Sequence, residues 1–166
     1  TQAHRRPIPL VDDGLHLAEA GASAMLDISD GLLLDADRMA RASGLRAEID
    51  LGAVPRAGGV DDVAAVIGMP PDLFAATGGE DYQLLFTARP GARAALEALA
   101  QELGLSLTRI GSARAGAGLR VDGESAADGR RLEAVRAGGG REPRSGRAGA
   151  EAERDLVHRN DGRSAR

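Results

Sequence analysis

The chain has 166 residues, a formal net charge of −4 and 43 % hydrophobic residues, which is the size and apolar content of one ordinary packed domain. It contains no cysteine and no lysine, so disulfides, thiolate nucleophiles, Schiff-base chemistry and a P-loop nucleotide site are excluded. Seven of the 21 arginines but only five of the 25 acids fall after residue 140, leaving an acidic body that argues against nucleic acid as a partner.

No apolar run of about 18 residues and no basic-then-apolar leader is present, so a soluble, cytoplasmic protein with no membrane partner is expected. With Phe74, Tyr82 and Phe86 as the only aromatics, the interior is built from Leu, Val, Ile and Ala. The chain opens on Thr1 rather than Met, which reads as a fragment or a processed product.

Pro7 and Pro9 predict an extended start, and Leu15, Leu17, Ala18, Ala20 and Ala22 predict a short helix after Asp12-Asp13-Gly14, ending near Gly21. Residues 23–28 read as a buried strand, with Ser29 or Asp30 as N-cap of the next helix. In that helix Leu33, Ala36, Met39 and Ala40 recur at helical spacing, Asp35, Asp37, Arg38 and Arg41 fall on the solvent side, and Ser43-Gly44 supplies the stop. Residues 46–51 alternate as a strand, which completes a βαβ-like unit.

Two short helical pieces, 60–67 and 71–76, precede a sharp turn at Thr77-Gly78-Gly79. Residues 81–87 form the strongest strand pattern, 93–103 a helix stopped by Gly104, and 105–110 a further strand. The expected class is therefore mixed α/β (α+β), a mixed sheet flanked by helices, over residues 1–121. Past Gly111 the order fades: 113–118 is rich in Gly and Ala, 119–121 allows one last strand, and 122–166 is expected to be a low-complexity, disordered tail, either a solvated extension or the product of an altered reading frame.

Chemistry concentrates in two turns. Asp27-Ile28-Ser29-Asp30-Gly31 joins an apolar strand to a helix, and its two carboxylates, three residues apart, supply the oxygen ligands that a hard cation such as Mg²⁺ favours. Ser-Asp-Gly before a helix is equally ordinary capping chemistry. Asp27, ending an apolar strand, is costly without a partner, and a helix N-terminus offers amide donors to a phosphate, so capping and binding are compatible. In Thr77-Gly78-Gly79-Glu80-Asp81-Tyr82 the glycines allow close backbone approach, and Glu80 can accept hydrogen bonds from a ligand or simply be solvated. His4, His16 and His158 are scattered and read as surface or capping residues; no side chain is assignable as acid, base or nucleophile.

Taken together, MLDISDGLLLDADRMARASGLRAEIDL followed by TGGEDYQLLFT, a helix and LTRIG resembles the C-terminal half of the thiamine-monophosphate kinase family, in order over residues 4 to about 121. The family belongs to the aminoimidazole ribonucleotide synthetase-like superfamily, whose members pair an N-terminal nucleotide-binding domain with a C-terminal α/β domain. The resemblance implies transfer of the γ-phosphoryl of ATP to thiamine monophosphate, giving thiamine diphosphate in thiamine biosynthesis. It implies Mg²⁺ at Asp27 and Asp30, nucleotide contact at Ser29 and substrate contact at Glu80. It further implies that the N-terminal domain is the missing partner, that this half alone is inactive, and that the full-length enzyme is a homodimer. The aromatic-bearing segment that usually closes the family has no counterpart, since no Phe, Tyr or Trp occurs after residue 122. The alternatives are another synthetase of the superfamily, in purine biosynthesis or selenophosphate synthesis, and a noncatalytic binding module.

Overall fold

The computed structural model describes residues 7–122 and 153–160. The elements run α1 (Val11–Glu19), β1 (Ala22–Asp27), α2 (Leu32–Ala42), β2 (Leu45–Asp50), α3 (Val60–Ile67), α4 (Pro71–Thr77), β3 (Leu84–Ala88), α5 (Arg93–Leu103), β4 (Ser106–Ala115), β5 (Gly118–Asp122) and β6 (Arg154–Asn160). The six strands form one sheet in the order β1-β3-β6-β4-β2-β5. All pairs are antiparallel except β2 with β5, so the mixed α+β class holds.

The βαβ-like unit exists in split form. Strands β1 and β2, linked by α2, point the same way but stand apart, with β3, β6 and β4 between them. The unit β3-α5-β4 is split as well, by β6 alone. Strand β3 is buried on both faces, which explains its continuous apolar run. Its Leu85 joins Leu32, Leu33, Ala36, Met39, Ala40 and Ala76 under α2 and α4, whereas Leu84, Phe86 and Ala88 meet Leu17 of α1 and Leu96 of α5 on the opposite face. Alternation along the strand thus supplies two cores, one per face.

Strand β6 departs from the expectation of a disordered tail over 122–166. Residues 154–160 fill the central slot between β3 and β4, pairing Leu85 with His158 and Phe86 with Val157 on one side, Thr108 with His158 and Arg109 with Val157 on the other. Leu156 enters the core under α2 and Val157 the core under α1 and α5. Seven residues between charged neighbours are too few to display a period, and the slot that recruits them lies elsewhere in the chain. The tail residues 123–152 and 161–166 lie outside the described residues, as does His4.

Asp155 and Arg159 of β6 are paired locally. Asp155 accepts from Arg93 of α5 at 2.8 Å and from Arg109 of β4 at 2.6 Å. Burial acts to raise the Asp155 pKa, but these two guanidinium bonds outweigh it and hold the carboxyl below its ordinary value. Arg159 pairs with Asp13 of α1 at 2.8 Å and donates to Gln83 at 3.1 Å.

His158 is not a surface residue. It is buried, neither ring nitrogen has a hydrogen-bond partner among the described residues, and burial, aided by Arg159, lowers its pKa to about 4. The folded chain therefore holds a neutral imidazole that the unfolded chain protonates below about pH 6.5. Stability from this residue is intact above pH 6.5 and is lost as pH falls towards 4, by up to about 3 kcal/mol. Urea midpoints measured from pH 7 to pH 4.5 should fall more steeply for the native chain than for His158→Leu. Equal slopes would show that the imidazole is not buried neutral.

Three further expectations are corrected. Asp35 and Asp37, placed on the solvent side of α2, are buried at 3 % and 4 % exposure. Each is neutralised by an arginine of the same helix, Asp35 by Arg38 and Asp37 by Arg41, so charge pairing replaces solvation. Neither Ser29 nor Asp30 caps α2: Gly31 occupies the N-cap position, with no side-chain cap. Strand β4 continues to Ala115, past the expected end at residue 110 and into the Gly/Ala-rich stretch where order was expected to fade, because β2 and β6 flank it on both sides.

Candidate functional site

The two chemistry-bearing turns are neighbours. The β1–β3 ladder ends with Asp27 opposite Leu84, and the pairing then continues past both strands. Ile28 N–H donates to Gln83 O at 2.8 Å, Tyr82 N–H to Ile28 O at 2.8 Å, and Glu80 N–H to Ser29 O at 2.9 Å. Ser29 and Glu80 are 51 positions apart, roughly 170 Å in a fully extended chain, and the sheet register places the Glu80 backbone directly against Ser29.

Glycine makes this approach possible at two points. A Cβ on Gly79 would lie 2.8 Å from Ser29 O, and one on Gly31 would lie 2.8 Å from Thr77 O, with Gly31 at φ +106°. Both contacts are with backbone, which cannot swing aside as a side chain can. Glu80 and Tyr82 also hold positive φ, 67° and 51°, an unfavourable state for residues with a Cβ. Two such residues in one turn, kept there by the ladder to Ile28 and Ser29, mark the segment as shaped by its surroundings. Asp81 between them is partly desolvated although it is not enclosed, and this raises its carboxyl pKa.

The four site residues read from the sequence are thus distributed over two adjoining turns. Asp27 and Asp30 are exposed, Ser29 is half-buried, and Glu80 is exposed at the facing turn. Among the described residues nothing pairs with the Asp27 carboxylate, while Asp30 pairs with Arg38. No group of three or more His, Asp or Glu side chains converges on one point among the described residues.

The residue missed by sequence reasoning is Asp35. From within the first turns of α2 its Oδ2 accepts from Ser29 N–H at 3.0 Å and from Asp30 N–H at 2.9 Å, and its Oδ1 accepts from Arg38 at 3.0 Å. A carboxylate reaching back to the amides before a helix is the reverse of the expected cap, in which Ser29 or Asp30 would have reached forward. The signal in the sequence was an acid in the helix's first turns, which favours the positive helix end but does not by itself reveal burial. The Asp35→Leu change should cost about 3 kcal/mol, since it strands two amides and an arginine, whereas Asp35→Asn, which keeps an acceptor oxygen for the amides, should cost clearly less. Urea unfolding of both variants decides the point; equal losses would remove the amide bonds from the account.

A family model described as AIR synthase related protein, C-terminal domain, matches residues 5–124. The chain belongs to this family. Among curated proteins, it is 40 % identical over 117 residues to the thiamine-monophosphate kinase of Methanopyrus kandleri, covering 70 % of this chain and 35 % of that protein. Among solved structures, it is similar to thiamine-monophosphate kinase from Stenotrophomonas maltophilia K279a, with a TM-score of 0.63 and 41 % identity over 72 % of this chain and 37 % of that one. The AaThiL structure complexed with AMPPCP and TMP gives a TM-score of 0.61 and 34 % identity over 80 % of this chain and 38 % of that one. The chain therefore spans little more than a third of the length of the relatives it matches. In family terms the match takes in both turns and every element through β5, while β6 lies beyond its end.

Proposed function

We propose that this chain is the C-terminal part of a thiamine-monophosphate kinase, which moves the γ-phosphoryl of ATP onto the phosphate of thiamine monophosphate. The observation that carries the reading is the backbone bond from Glu80 to Ser29, which sets the two motif turns side by side in one site. The relatives at 34–41 % identity are thiamine-monophosphate kinases, and one similar structure is complexed with AMPPCP and TMP.

In this reading Asp27 and Asp30 hold Mg²⁺. The donor set fits: Mg²⁺ is commonly bound by one or two carboxylates, with waters and substrate phosphates completing its shell, and these are two exposed carboxylates on one turn. The ion supplies neutralisation of charge between two phosphates, the main need of phosphoryl transfer. Ser29 contacts the nucleotide, its turn kept rigid by Asp35. Glu80, fixed by the strained backbone opposite, orients thiamine monophosphate. No side chain of the chain acts as a nucleophile, because the acceptor phosphate oxygen already is one.

The chain spans little more than a third of the length of its relatives, and the reading includes a nucleotide-binding N-terminal domain as partner, inactivity of this chain alone, a homodimer for the full-length enzyme, and a cytoplasmic setting. Among the described residues no helix is long and apolar enough to cross a membrane. The test is to join the chain to the N-terminal domain of a relative and assay it with Mg²⁺, ATP and thiamine monophosphate. Thiamine diphosphate should form with the joined protein and not with the chain alone. A folded joined protein that binds neither substrate overturns the assignment.

A further inference from the structure

Among the described residues Arg38 is the cation paired at the first turn, and it touches two carboxylates at once. Its Nη1 contacts Asp30 Oδ2 and lies 3.0 Å from Asp35 Oδ1. The two carboxylates differ in kind. Asp35 is 3 % exposed and spends its other oxygen on the amides of Ser29 and Asp30, so it cannot leave. The Asp30 side chain is 53 % exposed and Arg38 52 %, and among the described residues no other side chain pairs with the Asp30 carboxylate. An ion pair between two half-exposed groups contributes little and exchanges readily.

We propose, on the reading that Asp30 is a metal ligand, that Arg38 is a resident counter-cation and positioning residue of the site: it neutralises Asp30 while no divalent ion is bound, and retreats onto Asp35 alone when one arrives. Arg38 then has two stations, a permanent one at Asp35 and a temporary one at Asp30. The arrangement offsets part of the negative charge that the turn carries in the empty state, since Asp27, Asp30 and Asp35 all lie within nine residues. It also spares the metal a rearrangement of the backbone, because the bonds from Ser29 and Asp30 to Asp35 do not depend on where Arg38 sits. The cost is competition: every divalent ion that binds Asp30 must first displace the guanidinium.

Competition is directly measurable on the whole 166-residue chain without any turnover. Mn²⁺ alone is titrated against the native chain and against Arg38→Gln, Arg41→Gln and Asp30→Asn, with paramagnetic broadening of the Ser29 and Asp30 amide signals as the readout and circular dichroism to confirm folding. Arg38→Gln is expected to bind Mn²⁺ about two- to fivefold more tightly than the native chain, the range corresponding to loss of one exposed ion pair. Arg41→Gln, which removes the same charge one turn further on, where it pairs with Asp37, should change affinity less. A damaged turn would weaken binding, so a gain separates displacement from a merely structural role. If Asp30→Asn abolishes broadening but Arg38→Gln binds no tighter than Arg41→Gln, the counter-cation assignment fails while the metal turn stands. If Asp30→Asn broadens like the native chain, or neither the native chain nor Arg38→Gln broadens at all, both fail.

Discussion

The Gly31→Ala substitution is expected to destabilise the chain by about 3 kcal/mol or more, among the largest losses available from adding a single methyl group. Two costs add. At φ +106° and ψ 144° the backbone of residue 31 occupies a region that residues with a Cβ rarely adopt. The new Cβ would also sit 2.8 Å from Thr77 O, a contact that only a shift of backbone relieves. That shift would separate the turn of Ser29 and Asp30 from the turn of Glu80, so ligand binding should fall together with stability. Gly79→Ala, at 2.8 Å from Ser29 O, should act from the opposite side of the same contact. Urea denaturation measures the loss; midpoints within experimental scatter of the native chain would show that the turns are not in close backbone contact.

The largest effect on activity is expected from Asp27→Asn and Asp30→Asn in the chain joined to an N-terminal domain. Each keeps the size and much of the hydrogen-bonding capacity of the side chain while removing the charge that a hard cation requires. A loss of at least about a hundredfold in kcat/KM, roughly 3 kcal/mol of transition-state stabilisation, is expected for each. Neither residue is buried, so neither change should disturb folding. Excess Mg²⁺ should recover part of the loss if the ion is held less tightly, and none if the carboxylates do not hold the ion. A correctly folded double variant with native turnover would end the metal assignment for this turn.

Between these two substitutions lies a division of labour within one turn. Gly31 and Asp35 decide its shape, one by lacking a side chain and one by supplying a buried carboxylate, whereas in the proposed function Asp27 and Asp30 carry the chemistry at its surface. Arg38 links the two groups, because it touches a member of each. The shape-determining Asp35 is buried and the proposed ligands Asp27 and Asp30 are exposed, so in the proposed function the same residue type serves both ends according to its depth.

The sequence by itself determined the local elements and the motif turns. Helical spacing of Leu33, Ala36, Met39 and Ala40 identifies α2, the apolar run around Leu84, Leu85 and Phe86 identifies β3, and the Asp-Ile-Ser-Asp-Gly and Gly-Gly-Glu-Asp turns are visible as strings. Such features are legible because they depend on neighbours within a few residues. Only the tertiary structure decided where β6 goes, since its ladder partners on β3 and β4 lie 41 to 75 positions away. The burial of Asp35, Asp37 and His158 was decided there as well: whether a polar side chain is inside depends on which element covers it, and periodicity in one helix or strand carries no record of the cover. The contact of Ser29 with Glu80 is of the same kind, an outcome of sheet register, and it brings two separate motifs together into one candidate site.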